Sequence, residues 1–394
     1  MFNRPLAIST ATILGAFLLT AVAAEVGEPR LDAYWRLPLA PQGQAPSGWS
    51  EIEQSLAPQD CGQCHAEQLA KWRTSRHAQA FSPGVVGILL DPNSAADSAD
   101  CTRCHAPLDE QRAAFEAARA RGVADRTSEQ VLAAVGDPCA GCHLRAYAHF
   151  GPPQRGTGLT GPSVPPAPHD GVFRTPLFES SEFCSACHQH PAEWAVAGKP
   201  LENTYQEWKA SPQAAQGISC QSCHMPDRQH LWRGIHDPAM VASGLTPRTS
   251  VDADKARFEI TNTGVGHAFP TYATPTVIMF AIALDTGGTA RVETLRSRVI
   301  ARRLRWDGDQ WHELADTRLL PGQSAAIELP WDGNDRVRVW LEIRPDDHYE
   351  SEVYPNHLAR LGPHGGESMR LIAKARADAA ASRFRLFETE LHRP

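Results

Sequence analysis

Every cysteine in this 394-residue chain falls in a Cys-x-x-Cys pair that His follows at once. The five segments are Cys61/Cys64/His65, Cys101/Cys104/His105, Cys139/Cys142/His143, Cys184/Cys187/His188 and Cys220/Cys223/His224. The spacing has a chemical cause. Two thiols three positions apart can each form a thioether to one vinyl group of a single haem, and the next residue sets an imidazole beneath the iron. Zinc knuckles and redox disulfides share the paired cysteines but give the histidines no role. With 17 His in the chain, chance would place His after all five pairs at odds on the order of 10⁻⁷. The segments therefore point to five covalently attached haem c groups, and no thiol is left for a disulfide or for nucleophilic catalysis.

The first residues carry an export pattern. Arg4 precedes an apolar stretch from Leu6 to Thr20, and Ala21-Val22-Ala23-Ala24 is a small-residue cleavage site, so residues 1–24 are expected to be a signal peptide. Left uncleaved, the same stretch is just long enough to anchor the chain in a bilayer, the one route to membrane association. Either way the protein is expected outside the cytoplasm, in the periplasm or at the cell surface, where covalent haem attachment fits. The formal net charge is −7, and it becomes one unit more negative without residues 1–24, which hold Arg4 and no acid. Such a balance does not suit nucleic acid or anionic lipid.

Residues 25–54 form a Pro-rich N-terminal segment. Residues 55–246 hold the five motifs, which start 40, 38, 45 and 36 residues apart. Those intervals are too irregular for a solenoid and too short to give each haem its own protein core. The porphyrins must then be the core, close enough together for electrons to pass between them. Ser50 with Glu53, Thr127 with Gln130 and Thr204 with Glu207 have capping-box spacing, and Asp109 to Arg121 is alanine-rich and helical in pattern. Six prolines between Gly151 and Gly171 exclude regular structure there.

Past about residue 246 the periodicity changes to two. Arg336 to Arg344 alternates, with Val337, Val339, Leu341 and Ile343 on one face. Asp307-Gly308 is a hairpin signal, Thr276 to Leu284 predicts a fully buried strand, and Arg257–Thr261, Ala325–Leu329 and Phe384–Leu391 predict further strands. Residues 247–394 are thus expected to be a β-sandwich with a helix over Glu367–Ala381, the boundary lying near Ser243–Ser250. The fold class is α+β: a haem-dominated multihaem cytochrome c domain of short helices and irregular loops, followed by a β-sandwich domain.

The sixth ligand decides what each iron does. Twelve histidines lie outside the motifs, and several stand close to them: His77 thirteen residues after Cys64, His169 just before the fourth motif, His230 and His236 after the fifth. His190 is too near His188 to reach round to its own iron, though another iron is open to it. Methionine is the rival ligand, but only five exist, and Met225 is held between His224 and Pro226. Bis-His ligation is favoured.

The stretch from Cys61 to Phe81, with Trp72 and Ser75-Arg76-His77-Ala78, resembles the first haem segment of the cytochrome c-554-like multihaem cytochromes, and that resemblance implies an axial role for His77. Asn203-Thr204-Tyr205 through Trp208, Cys223-His224-Met225-Pro226 and Gly234-Ile235-His236-Asp237 are similar to relatives whose multihaem domain precedes a β-domain. Their Gly-His-x-Phe-Pro is matched by Gly266-His267-Ala268-Phe269-Pro270, which implies that His267 reaches back to a haem. The tetrahaem prototype lacks the extra haem and the β-domain, so its ligand pairing does not transfer. On these grounds His77, His169, His230, His236 and His267 are the distal candidates, with His149 in reserve.

Three functions follow as expectations. Haems ligated on both faces make an electron-transfer protein without a catalytic residue or small-molecule substrate, working between other redox proteins such as cytochromes or a quinol-oxidising complex. One haem with an open face would instead make an oxidoreductase acting on nitrite, hydroxylamine or a sulfur oxyanion. Pentahaem nitrite reductases share the haem count but use Lys as the proximal ligand of the catalytic haem, whereas all five motifs here end in His, which favours electron transfer. In the third, the β-domain is an adhesion or docking module.

Overall fold

The structure, a computed structural model, describes residues 29–91, 98–120, 132–163 and 167–394; the expected signal peptide and the Thr127/Gln130 pair lie outside them. Among the described residues no helix is long and apolar enough to cross a membrane.

The C-terminal half is built by strands with one face in the core. Lys255–Asn262 lies between Ser324–Pro330 and Leu245–Val251 in an antiparallel sheet. A second antiparallel sheet runs Arg296–Ile300, Thr276–Leu284, Arg336–Arg344, Phe384–His392. Phe258, Ile260, Met279, Trp331 and Leu341 from the two sheets and their connections share one apolar cluster. The inward face of Arg336–Arg344 is realised as expected, Val337, Val339, Leu341 and Ile343 being at most 1% exposed, while Trp340 on the other face is buried as well. Each such side chain contributes about 1.5–3 kcal/mol through removal from water. On the opposite face Trp340 stacks on Phe280 at 4.9 Å, with the Arg385 guanidinium 4.8 Å above it. Asp307-Gly308 turns the hairpin of Arg302–Trp306 and Trp311–Asp316; Gly308 has φ +109°, and the Asp307 carboxylate accepts from the amides of Asp309 and Gln310. The first strand of this half, Leu245–Val251, follows directly on helix Pro238–Gly244 and was not visible in the sequence pattern, because five of its seven residues are exposed.

The N-terminal half consists of short helices, such as Pro58–Cys64, Ala66–Trp72 and Cys139–His143, joined by loops and two-residue bridges. The alanine-rich helix spans Asp109–Ala120. Among the described residues between Gly151 and Gly171, the regular elements are the bridge Gly161–Pro162 and the single turn Pro168–Asp170. Ser50 and Glu53 form a reciprocal capping box. Thr204 and Glu207 do not. Helix Thr204–Lys209 starts after Asn203 without a side-chain cap, since the Thr204 hydroxyl turns to the Glu202 carboxylate and to Thr271 Oγ1 at 2.6 Å. Glu207 instead accepts from Arg318 at 3.1 Å and from the amide of Ala268 at 3.1 Å, so tertiary partners outcompete the local cap.

Two terminal segments pack against the N-terminal half. The Pro-rich start covers the third motif: the Tyr34 hydroxyl donates to the Cys142 carbonyl at 2.5 Å, and the Arg145 guanidinium lies 4.0 Å over the Tyr34 ring. At the other end, helices Tyr354–Leu361 and Gly366–Ala381 leave the sheets and return to helix Pro83–Leu90. The Ser368 hydroxyl donates to the Gly87 carbonyl at 2.7 Å. A Cβ on Gly87 would lie 2.7 Å from Ile372 Cγ1 and 3.1 Å from its backbone nitrogen. Gly87→Val is therefore expected to lose about 1–3 kcal/mol of stability; a urea midpoint equal to that of the wild type would show that this contact yields freely.

Candidate functional site

Each motif sits on about one helical turn: Pro58–Cys64 with His65 as the following residue, Ser98–His105, Cys139–His143, the pair Ser181–Cys184 and Ser185–His188, and Cys220–His224. Residues three apart on a helix share a face, so the two thiols of a pair open to one side. The last turn is opened by a cap that ends the helix at or beside His. Ser219 with Ser222 starts the fifth motif, and Pro138 starts the third.

Three of the five motif imidazoles are aimed by backbone carbonyls. Nδ1–H of His105 donates to Ala80 at 2.8 Å, that of His143 to Phe150 at 2.8 Å and that of His224 to Arg233 at 2.6 Å. A bond on Nδ1 fixes the tautomer and leaves Nε2 as the metal donor. None of these carbonyls carries a sequence signal, since any residue supplies one.

Opposite three motif histidines stands a second imidazole. The ring centres of His188 and His77 are 6.1 Å apart, those of His143 and His230 are 6.2 Å apart, and those of His224 and His267 are 6.4 Å apart. Two metal–nitrogen bonds of about 2 Å, plus about 1 Å from each nitrogen to its ring centre, add up to about 6 Å. The donor set therefore fits one iron between each pair. Nδ1–H of His230 donates to the Arg228 carbonyl at 3.1 Å and that of His267 to the Ala268 carbonyl at 3.0 Å, the same device as on the motif side. Burial pushes His77 down to about 3 and both His230 and His267 down to about 4, which keeps them neutral and able to ligate at physiological pH.

The remaining candidates are held differently. His149 and His169 stack at 3.9 Å beside Trp49. His169 has φ +43°, donates from Nδ1 to the Gly171 carbonyl at 2.9 Å and gives its amide to the Glu53 carboxylate at 2.8 Å. His149 has a buried Nδ1 without a partner, and burial, with the neighbouring His169, His143 and His65, pushes it down to about 4. His236 lies with Nε2 2.9 Å from Asp346 Oδ2, a contact with a carboxylate. His65 and His105 stand in no facing imidazole pair among the described residues. Near His105 the closest candidate is His190, whose ring is 5.0 Å from Trp194 and 6.3 Å from Tyr272 and whose Nδ1 is buried without a partner.

The thiols show how the motifs neighbour one another. Cys61 is within hydrogen-bonding reach of Cys139, Cys104 of Cys187, and Cys184 of Cys220. The first motif thus abuts the third, and the fourth abuts both the second and the fifth. Asp137 lies between these groups, its carboxyl held well above the usual range by burial and then by Cys104, with Oδ1 unpartnered. Its amide donates to the His77 carbonyl at 2.8 Å, and its own carbonyl accepts from Trp72 Nε1 at 2.7 Å. Asp137 was not a candidate in the sequence, because a lone acid before a proline has no motif.

Residues 60–143 match the protein family described as cytochrome c554 and c-prime. No curated protein matches the chain by sequence. Among solved structures, the chain is similar to a penta-heme cytochrome c552 from Thermochromatium tepidum, with a TM-score of 0.56 and 19% identity over 87% of this chain and 100% of that one. At that identity the likeness is one of fold. Residues 60–143 thus resemble a cytochrome c family, and the chain as a whole has a fold similar to that of a multihaem cytochrome.

Proposed function

We propose that this chain binds five haem c groups, one at each motif, and passes electrons between redox proteins outside the cytoplasm. The observation that carries the reading is the set of three facing imidazole pairs about 6 Å apart. When bound, haem supplies one-electron chemistry. The chain's own work is to attach, orient and enclose. Cysteine pairs fix each macrocycle; carbonyls on Nδ1 aim the imidazoles; burial keeps those imidazoles neutral and water away. Facing imidazoles on rigid backbone would hold a bound haem from both sides, so that electron transfer would need little rearrangement of the chain. The neighbouring thiols give a route from the first motif to the third, and from the fourth to the second and fifth.

The ligand pairs we assign are His188 with His77, His143 with His230, and His224 with His267. His65 is served by His169, whose Nδ1 is anchored, in preference to His149, whose Nδ1 is not. In mature holoprotein, mass spectrometry should show five haem increments. His267→Ala should convert one haem from low to high spin at full haem content, whereas His236→Ala should leave every haem low-spin or high-spin as before. An unchanged low-spin spectrum of His267→Ala would refute its role.

One observation favours a second reading for one of the five sites. His105 stands in no ring pair among the described residues, the nearest further imidazole being His190, close enough for their charges to interact; an iron at the second motif would be open to a small ligand, as an oxidoreductase requires, only with His190 turned away from it. A high-spin ferric signal in the resting wild type is the expected consequence.

A further inference from the structure

The loop that carries His267 is held at one peptide from both halves of the chain. The His267 carbonyl accepts from Asn262 Nδ2 at 3.0 Å, and the amide that follows, of Ala268, donates to the Glu207 carboxylate at 3.1 Å. Asn262 ends the strand Lys255–Asn262 and is fully buried. Its Nδ2 also donates to the Leu319 carbonyl at 2.9 Å, and its Oδ1 accepts from the Val265 amide at 3.1 Å. Glu207 comes from the other side, on helix Thr204–Lys209 of the haem-bearing half. The imidazole is tied to the same place, since Nδ1–H of His267 donates to the Ala268 carbonyl at 3.0 Å. Ala268 thus takes its orientation from Glu207 and passes it to the ring.

The Glu207 carboxylate is not needed to neutralise a cation. Arg318 Nη1 donates to it at 3.1 Å, but Nε and Nη2 of Arg318 already reach Asp316 at 2.9 and 3.0 Å, and Nη1 also donates to the Thr271 carbonyl at 2.8 Å. Nor does Glu207 cap its own helix, which starts without a side-chain cap. What remains for it is the Ala268 amide. An amide donating to a carboxylate is among the stronger hydrogen bonds, and here the Glu207 side chain is only 7% exposed. The Asn262 contact belongs to the β-domain and moves with it, so Glu207 is the contact that refers the loop to the half holding the fifth motif. Gly266, one residue before His267, shows how closely loop and helices approach: a Cβ there would come 3.2 Å from Trp208 Cδ1 and 3.2 Å from Gln213 Cβ. The His267 ring is thereby set 6.4 Å from that of His224, with the planes 12° apart.

We infer that Glu207 is a positioning residue for His267: by holding the Ala268 amide it keeps the imidazole facing His224, and so sets how readily the sixth ligand leaves an iron bound at the fifth motif. The inference rests on the assignment of His267 to that motif. Glu207 acts through a single peptide, which makes the reach of its acceptor atom, and not its charge, the property that matters.

The test is a carbon monoxide titration of dithionite-reduced full-length holoprotein, followed in the Soret band, on wild type, His267→Ala and three variants of Glu207. His267→Ala should bind carbon monoxide at one haem that the wild type leaves unbound. A site whose imidazole is detached for only a small fraction of the time binds the gas more weakly by that fraction. Glu207→Ala should enlarge the fraction and raise the apparent affinity at the same haem about tenfold, the effect of one lost hydrogen bond to a charged group. Glu207→Gln keeps an acceptor within reach of the Ala268 amide and should match the wild type. Glu207→Asp keeps the charge beside Arg318 but ends one methylene short of the amide, and should follow Glu207→Ala. A merely structural role through the Arg318 pair predicts the reverse, with Gln failing and Asp rescuing. That reverse order, or wild-type affinity in all three variants, overturns the inference; the Asp and Gln variants decide it between them if Glu207→Ala does not fold. No additional carbon monoxide in His267→Ala would instead remove the ligand assignment, and the positioning role with it.

Discussion

Serine at both Cys139 and Cys142 should leave almost no folded protein to recover, even from a host that matures c-type cytochromes. The third motif is where the N-terminal half converges. Its helix, Cys139–His143, is only five residues long and has no stability of its own. Its Cys142 carbonyl anchors the Tyr34 hydroxyl, and Ala140 and Leu144 pack with Leu39 and Leu108. The His143 ring stacks on Phe178 at 5.0 Å and donates from Nδ1 to the Phe150 carbonyl. Removing one large aromatic side chain from a core costs about 3–5 kcal/mol. A porphyrin is several times that size, and the whole stability of a domain is about 5–15 kcal/mol. Loss of the tether at this site therefore competes with the entire fold. The check is the yield of soluble protein with Soret absorption and the haem increments in its mass. Normal yield with one increment missing would show that the other four sites hold the half together without the third.

The motifs were legible because covalent attachment demands a fixed local spacing. The strands Thr276–Leu284 and Arg336–Arg344 were legible because their burial has a period, and the structure returns both with the same ends. Which candidate imidazole faces which motif was not, and the reason is physical. His77 and His188 are 111 positions apart, and nothing local to either marks the other; only the folded backbone brings them to 6.1 Å. His236 had the same standing in the sequence as His230, both close behind the fifth motif. One faces His143 and the other meets Asp346, a residue 110 positions away. Thr204 and Glu207 had the spacing of a cap and serve Thr271 and Arg318 instead. The return of residues 354–381 to helix Pro83–Leu90 was likewise invisible, since an amphipathic helix pattern says that a face is buried without saying against what.

Arg302→Ala carries the second large expectation, a loss of about 3–5 kcal/mol, because it strips a buried cation from four acceptors at once. The side chain is fully buried. Its Nε donates to Glu313 at 2.8 Å, Nη1 to the Pro200 carbonyl at 2.5 Å, and Nη2 to the carbonyls of Val196 at 2.8 Å and Lys199 at 2.9 Å. Three of those acceptors belong to the small hairpin of Ala195–Val196 and Lys199–Pro200 behind the fourth motif, so the residue clamps the haem-bearing half to the sheets. Alanine would leave three carbonyls without their donor, and Glu313 with Lys199 at 3.2 Å as its remaining cation, in a place water does not reach freely. Lysine should rescue little, because a single ammonium does not reproduce the planar fork. The comparison with Glu313→Gln separates the charge pair from the carbonyl contacts: if the carbonyls dominate, Glu313→Gln alone should cost much less than Arg302→Ala, and the double variant should cost little more than Arg302→Ala. Urea midpoints of the four proteins decide it. A loss under about 1 kcal/mol in Arg302→Ala, the level of an exposed ion pair, would mean that the hairpin is held by its haem contacts and that the two halves need no clamp there.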